Sequence, residues 1–311
     1  MSQIKAIVDK LLTNVSSAYV PKEIIADKLL PTVRSKQYSG KLGKYGSSHL
    51  RIVNSLIGGE GKFRRVKPIT RSQDSFQIEG HGLEGIVTKQ DYANVEDPYD
   101  AEKDETLGLT TMLALEKEYG LGSILTSTSV LTQNTTLSGT SQFSDYLNSD
   151  PMSVFATARG TILDAVGFLP NVGILDVAVW NKLRFHPGIL DALGFKQNRP
   201  GGLSQDELAV AMGVEKVMLA SARYNSAAEG AAAVLAPCWG KHIVFAVLPD
   251  AAKPYQTSLG YQVIPEGGSQ RKVYKYDGQN PAGSTIVLVE DEYDQLISNA
   301  AAGYLIKDSI A

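Results

Sequence analysis

Nine glycines between residues 36 and 88 limit what this chain can fold into more than any other feature. They are Gly40, Gly43, Gly46, Gly58, Gly59, Gly61, Gly80, Gly82 and Gly85. Apolar residues arrive between them only in short bursts, such as Ile52-Val53 and Phe76-Gln77-Ile78. Alternation at Phe76 and Ile78 and at Val66 and Ile69 predicts strands, with Asp74-Ser75 and Gly58-Gly59-Glu60-Gly61 as turns. A two-stranded ribbon is marginal in water without a surface to lie on. Long excursions inside a compact domain are usually functional or disordered, and strand-like patterning argues against disorder. The missing surface is then another copy of the same chain.

Charge sharpens this reading. Pro21 to Ser72 carries twelve basic residues against three acidic ones (Glu23, Asp27, Glu60), a local net of +9. Lys89 to Glu118 carries nine acidic against three basic, a local net of −6. The second stretch begins near Asp97-Pro98 and runs through Asp100, Glu102, Asp104, Glu105, Leu109 and Leu113. Its pattern predicts a long helix, with proline near the first turn and carboxylates at the positive end. Two readings stand for the acidic stretch: a solvated face, or the bed on which the basic ribbon of a neighbour lies.

The remainder is ordinary in composition, and 311 residues allow one large domain or two smaller ones. A total charge of −3 argues against a chain whose main task is gripping nucleic acid. The single Cys238 excludes an intrachain disulfide framework and fits a reducing compartment. No run approaches the roughly 18 apolar residues of a membrane span. Ile4, Ile7, Val8, Leu11, Leu12 and Val15 follow helical spacing, so residues 3–15 are expected as an amphipathic helix and not a signal peptide. Cytosolic synthesis is the expectation.

From residue 151 the pattern is α/β. Pro151–Val166 and Val179–Phe185 read as helices, and Ser204 with Glu207 forms a capping box for Gln205–Met212. Val172–Val177, Val214–Ala220 and Ile243–Leu248 read as buried strands. After Gly260 the texture becomes antiparallel: Lys272–Tyr276, a turn at Asp277-Gly278, Ser284–Val289, and a last strand at Tyr304-Leu305-Ile306.

Sites for chemistry fail on inspection. Gly80-His81-Gly82-Leu83-Glu84-Gly85 matches the dinucleotide fingerprint as a string, but β-branched Ile86-Val87-Thr88 follows where a helix is required. Gly59-Glu60-Gly61-Lys62 has the first glycine of a phosphate loop misplaced and Phe63 where Ser or Thr would hold magnesium. Cys238 and His242 have zinc spacing, yet a closed site needs about four ligands, and His49, His81 and His186 lie in unrelated segments. Carboxylates of residues 96–105 suit a hard cation, but helix-end charge accounts for them more simply. No catalytic, cofactor-binding or metal residue is assigned, and no enzymatic activity is expected.

Ordered short motifs then bring a resemblance into view. Ile24-Ile25-Ala26-Asp27-Lys28-Leu29-Leu30-Pro31-Thr32-Val33, Lys36-Gln37 and Ser39-Gly40-Lys41 with Lys44-Tyr45-Gly46 come first. Ser144 to Pro151, Gly167 to Asn171, Val179 to Pro187, Gly213 to Val217, Ala222 to Ala227 and Trp239-Gly240-Lys241 follow in order. Together they resemble tailed-bacteriophage major capsid proteins, from about residue 24 to 248. The resemblance implies an α+β Hong Kong 97-like fold. Residues 1–35 become an N-terminal arm, 36–88 an extended β-hairpin loop, and 89–143 the first part of a peripheral domain with its spine helix. Residues 144–259 become an α/β axial domain, and 260–311 the second part of the peripheral domain.

The implied function is structural. The chain would self-assemble into pentamers and hexamers of an icosahedral shell enclosing double-stranded DNA in a virion. Portal, scaffolding and decoration proteins would be further partners, and neither membrane nor sequence-specific DNA contact is implied. With so short an arm ahead of residue 36, no long N-terminal scaffolding region is expected. Some relatives crosslink a loop lysine to a neighbour. Lys41, Lys44, Lys62 and Lys67 offer lysines, but no motif identifies a partner. An encapsulin-type shell around protein cargo and a soluble oligomeric α/β enzyme are the alternatives. Contacts between copies are expected from Phe63, Arg64, Arg65, Val66, Lys67 and Ile69 on the ribbon to Asp100, Glu102, Asp104 and Glu105 of a neighbour. Glycines of the ribbon, with Gly120 and Gly122, would absorb the different angles of five- and six-membered rings, or are ordinary turn and helix-end residues. In an unassembled subunit, residues 3–15 and 36–88 are expected to exchange amide protons fast and residues 151–248 slowly.

Overall fold

A computed structural model describes residues 7–19, 21–45, 50, 52–53, 55–57, 63, 65, 71–94, 100–195, 200–228, 230–251, 256–266, 271–278 and 283–311. The chain enters as strand β1 (Ile7–Val8) and helix α1 (Lys10–Ala18). The expected helix over 3–15 is therefore displaced toward the C-terminus. Asp9 explains the shift: its carboxylate accepts from the Leu11 and Leu12 amides and caps the helix there. The short helix α2 (Ala26–Leu29) and strand β2 (Thr32–Ser35) follow, with Ile24, Ile25, Ala26, Leu29 and Leu30 all buried.

The glycine-broken region forms strand β3 (Ser39–Tyr45) and strand β4 (Arg71–Gln77), which pair antiparallel as an isolated two-stranded ribbon. The expected turn at Asp74-Ser75 is wrong. Asp74 lies inside β4 opposite Leu42 and takes the Lys44 ammonium at 2.9 Å, so cross-strand charge holds a polar strand there. The expected turn over 58–61 and the strand residues Val66 and Ile69 lie outside the described residues. Phe76 and Ile78 anchor the ribbon's root by packing on buried Val263.

Strand β5 (Glu79–Thr88) then joins the main sheet, so the Gly80–Gly85 string is extended backbone. After helix α3 (Lys89–Asn94) comes α4 (Ala101–Leu125), 25 residues and about 38 Å long. The described helix starts at Ala101, after the Asp100 cap; Asp97-Pro98 lies outside the described residues. Gly120 and Gly122 are neither turn nor helix end, since α4 continues to Leu125. Gly122 has a packing reason: a Cβ there would stand 2.8 Å from the Cys238 carbonyl oxygen.

The α/β section matches its sequence closely. It comprises β6 (Asn134–Thr136), α5 (Pro151–Val166), β7 (Val172–Asp176), α6 (Val177–Leu183), α7 (Pro187–Ala192), α8 (Gln205–Met212) and β8 (Lys216–Ala220). A small hairpin of β9 (Arg223–Asn225) and β10 (Leu235–Pro237) leads to β11 (Ile243–Ala246). Asp150 and Pro151 start α5, Gly167 ends it with φ of 79°, and the Ser204–Glu207 capping box starts α8. The last strands are β12 (Gly260–Pro265), β13 (Arg271–Asp277), β14 (Ser284–Ile297) and β15 (Gly303–Lys307).

Two sheets result. One has the order β1-β13-β14-β12-β2, with β5 also paired to β14, and β2 runs parallel to β12. The other has the order β6-β15-β11-β7-β8. The last strand therefore belongs to the α/β sheet, as does β6, although both lie outside residues 144–259. Helix α4 serves two cores. Leu109 and Leu113 pack with Leu12, Val87, Val273, Val287 and Val289, while Ala114, Leu121 and Leu125 belong to the larger α/β core.

This placement changes the exchange pattern expected from sequence, because α1 and β5 are integrated into the body. Hydrogen exchange on unassembled subunits should be fast in β3 and β4 and slow in β5, β7 and β11. Protection of the ribbon equal to that of β7 would contradict it.

Acid should weaken the α/β section. His186 is buried; its Nδ1 accepts from the Gly188 amide at 3.2 Å, which leaves Nε2–H to donate to Ser149 Oγ at 2.9 Å. His242 Nδ1 accepts from the Asp308 amide at 3.0 Å. Burial lowers the pKa of both, against the opposing fields of Asp150 and Asp308. Their contribution is therefore complete above the ordinary histidine value of about 6.5 and lost as pH falls below it toward the depressed folded values. His186→Asn keeps a cap acceptor but cannot titrate. Comparing urea midpoints from pH 7.5 to 5, the gap should shift in the variant's favour; a pH-independent gap would refute the assignment.

Candidate assembly site

The assembly surfaces are held in place by a charged knot beneath them. Lys117 and Glu118 are neighbours in α4, and both are fully buried. About 100° of rotation separates adjacent residues on a helix, so the two side chains serve different partners. Glu118 Oε2 accepts from the Ile25 and Ala26 amides at 2.9 and 2.6 Å, at the start of α2. Its Oε1 accepts from Trp239 Nε1 at 2.5 Å. Burial raises the Glu118 pKa, while these donors pull it down.

Lys117 points the other way. Its Nζ lies 2.5 Å from Asp27 Oδ1, 4.0 Å from Asp291 Oδ2, and 4.3 Å from the centre of the Tyr293 ring. Arg271 completes the cluster, reaching Asp291 at 3.4 Å, Asp27 at 3.5 Å and the Ser16 carbonyl at 3.2 Å. Arm, long helix, main sheet and the Trp239 loop thus share one hydrogen-bonded knot. Sequence reading quoted Ile25, Ala26, Asp27 and Trp239 only within motifs and brought none of the members together. The available signal was Arg271 and Asp291, which sit opposite each other on inward positions of β13 and β14.

The acidic helix start is only partly available to a neighbour. Asp100 accepts from the Glu102 and Lys103 amides and pairs with Lys103 at 3.1 Å, contacts that lower its pKa. Glu102 takes Lys275 and the Tyr92 hydroxyl. Two of the four acids predicted to face another subunit therefore have partners in their own chain. Asp104 is exposed, and Glu105 lies against Gly85, where a Cβ would collide with its carboxylate.

On the ribbon side, Phe63 is 83% exposed and Arg65 is exposed. Arg64, Val66, Lys67 and Ile69 lie outside the described residues, as do Lys62 and His49. Ile52 is 99% exposed and Leu56 83%, so the same segment presents other large apolar side chains to solvent. Lys44 is engaged at the root, with Asp74 and the Ser298 carbonyl at 3.0 Å. Cys238 is a buried free thiol whose pKa burial pushes up to about 11, and His242 Nδ1 is already bonded. Among the described residues, no group of three or more His, Cys, Asp or Glu side chains is placed to hold a metal. Among them too, no helix is long and apolar enough to cross a membrane.

A long helix shared between a mostly antiparallel sheet and an α/β layer, with a two-stranded ribbon at the sheet's edge, matches the Hong Kong 97-like fold of phage capsid proteins. Solved structures agree. A phage-related protein of Bordetella bronchiseptica superposes with a TM-score of 0.75 at 24% identity, covering 98% of both chains. The capsid structure of cyanophage P-SCSP1u gives 0.57 at 10% identity, over 93% of this chain and 89% of that one. No protein-family model matches.

Among curated proteins, the major capsid protein of Burkholderia phage BcepMu is 24% identical over 307 residues, 96% of each chain. That of Pseudomonas phage JBD67 is 28% identical over 248 residues, 79% of this chain and 78% of the relative. The chain is a relative of the phage major capsid proteins along almost its whole length.

The knot yields a stability test. Glu118→Ala leaves the Trp239 N–H and two backbone N–H groups without their acceptor and should cost about 3–5 kcal/mol. Glu118→Gln keeps one acceptor oxygen and should cost less. Urea unfolding of unassembled subunits measures both, and a loss for Glu118→Ala under about 1 kcal/mol would show that the knot does not bind the arm.

Proposed function

We propose that this chain is the structural subunit of an icosahedral phage head, forming pentamers and hexamers around packaged double-stranded DNA. The observation that carries this reading is the exposure of Ile52, Leu56 and Phe63 in the segment joining β3 to β4, strands that pair only with each other among the described residues. Each such side chain gains about 1.5–3 kcal/mol when buried. Identical copies meeting through unlike surfaces close into rings when the rotation allows it. Both curated relatives bear the name of major capsid proteins, which favours this reading over a compartment around protein cargo. The fold's work is geometric, and no enzymatic step is assigned to it.

The layout follows the family scheme: arm 1–35, extended loop 36–88, peripheral parts 89–143 and 260–311, and axial domain 144–259. Within it, β6 and β15 are assigned to the axial sheet, because they pair there. Portal, scaffolding and decoration proteins are the further partners such a head requires, and the virion is its location. DNA is enclosed without sequence reading, consistent with a net charge of −3.

On the ribbon, Phe63, Arg64, Arg65, Val66, Lys67 and Ile69 contact a neighbour. The acids facing them are Asp104 and Glu105, with Asp100 and Glu102 committed first to their own chain. Exposed ion pairs contribute about 0–1 kcal/mol each, so charge sets register while apolar burial holds the shell. Purified protein viewed by electron microscopy should form closed shells of uniform size. Phe63→Ser should abolish them at concentrations where wild type assembles. Arg64→Glu with Arg65→Glu should slow light-scattering growth, and Asp104→Lys with Glu105→Lys in the same chain should partly restore it. A discrete small oligomer of wild type under all salt conditions would overturn the reading.

A further inference from the structure

Helix α4 and strands β4, β5 and β14 border an open cleft of about 630 Å³, within the size range of small-molecule sites. Val87 of β5 and Val289 of β14 pack against α4, so strand alternation brings Glu79, His81, Tyr293 and Gln295 to that same face. These four make the strand wall, and Glu116, Tyr119 and Gly120 make the helix wall. No lysine or arginine is among the residues that line it. Its polar groups are mostly acceptors. Glu116 has His81 beside it at 3.6 Å, a partner that is cationic only when protonated. Gln295 donates Nε2 to the Lys117 carbonyl at 3.4 Å, which leaves Oε1 standing over Gly120. Glu79 is exposed, while Asp294, also in the wall, is engaged by the Gln77 amide at 2.9 Å.

Tyr293 carries the argument further. It is only 8% exposed and its ring stacks on His81 with centres 4.6 Å apart. Yet its hydroxyl has no hydrogen-bond partner among the described residues. Buried hydroxyls are nearly always bonded, so this one is waiting for a partner. The oxygen is not sealed off, and it opens into the cleft whose wall the residue forms. Burial and the carboxylates of Asp291, Glu116 and Asp27 raise its pKa, which keeps the hydroxyl protonated. The one cation against the ring, Lys117, is fully buried and held by Asp27.

Acceptors and carboxylates without a cation of their own suit a guest that brings N–H donors and positive charge. A bare metal ion does not fit, because among the described residues no three ligating side chains converge. Carboxylates on both walls call for two cationic ends, and Tyr119, Ile124 and Leu296 offer apolar surface for a stem between them. We propose that this cleft binds a short aliphatic diamine. One ammonium meets Glu116, Gln295 Oε1 and the Tyr293 hydroxyl, and the other meets Glu79. The site lies within a single chain and goes beyond the capsid reading without depending on it. Ser75 and Gln77 of β4 share the cleft with α4, so a bound diamine ties the root of the ribbon to the long helix.

The test is isothermal titration calorimetry of unassembled full-length subunits with cadaverine at physiological salt. One saturable site per chain is expected, with amide exchange slowed in β4 and around Gly120 of α4. Glu116→Gln should weaken binding about tenfold and Tyr293→Phe about threefold. Asp104→Asn removes the same charge from an exposed acid outside the cleft and should leave the affinity unchanged. Gly120→Leu fills the cleft: a Cβ there stays 3.9 Å from Gln295 Oε1, so the urea midpoint should hold or rise while binding is lost. No saturable binding by wild type would overturn the proposal. Equal losses for Glu116→Gln and Asp104→Asn, or displacement of the diamine by equimolar magnesium, would reduce it to general charge screening and overturn it too. Carbodiimide coupling of Glu116 to a lysine of another protein, in particles made in a host, would give the cleft to a partner chain and reject the free diamine. If Glu116→Gln unfolds, Gly120→Leu and the exchange pattern decide. None of these outcomes bears on whether the chain builds shells.

Discussion

Lys117 and Glu118, side by side in the long helix and both out of water, are the constraint on which the rest of the molecule depends. Buried charges are tolerable only when paired and hydrogen-bonded, and here their partners come from three separate stretches of chain. Asp27 and the amides of Ile25 and Ala26 come from the arm, Trp239 from a loop of the α/β section, and Asp291, itself paired with Arg271, from the sheet. Sliding any one element would strand an ion in a low-dielectric interior. Apolar packing alone tolerates such slips more readily, so the knot gives the helix a single register against both cores.

That register decides what the surface can offer. The helix start is fixed with Asp100 capping it and Glu102 tied to β13, so its acidic first turn is bonded within the subunit. The root of the ribbon is fixed by Phe76 and Ile78 on Val263, by Lys44 on Asp74, and by Gln77 donating to Asp294. A firm root fixes where the exposed side chains of Ile52, Leu56 and Phe63 leave the body of the subunit.

The α/β section was legible because its boundaries are written in local chemistry: Asp150-Pro151, Gly167, the Ser204–Glu207 box and Gly213 all act within a few residues. Strand β14 was read to Val289 but runs to Ile297, since the run Glu290-Asp291-Glu292 looks solvated. In the fold it alternates, with Asp291 inward to Arg271 and Glu292 outward to Lys272 and Tyr38. Ion partners twenty residues away in sequence are invisible to a local pattern. Strand β4 was misread for a related reason: with little core beneath it, it has almost no apolar period to show. The charge of Asp100 and Glu102 was legible in the sequence, whereas their commitment to Lys103, Lys275 and Tyr92 of their own chain was not.

The closing of the main sheet also sets a clock. Thr13 near the start of the chain bonds to Val273, 260 positions later, and β2 cannot pair until β12 exists. At about 5–20 residues per second, a ribosome needs on the order of 10–50 s to supply the second partner. During that interval α1 and α2 lack their sheet, while the ribbon, already translated, exposes its apolar tip. A nascent chain therefore holds its arm and helix α4 well before β13 and β14, the strands at the middle of the main sheet, are made.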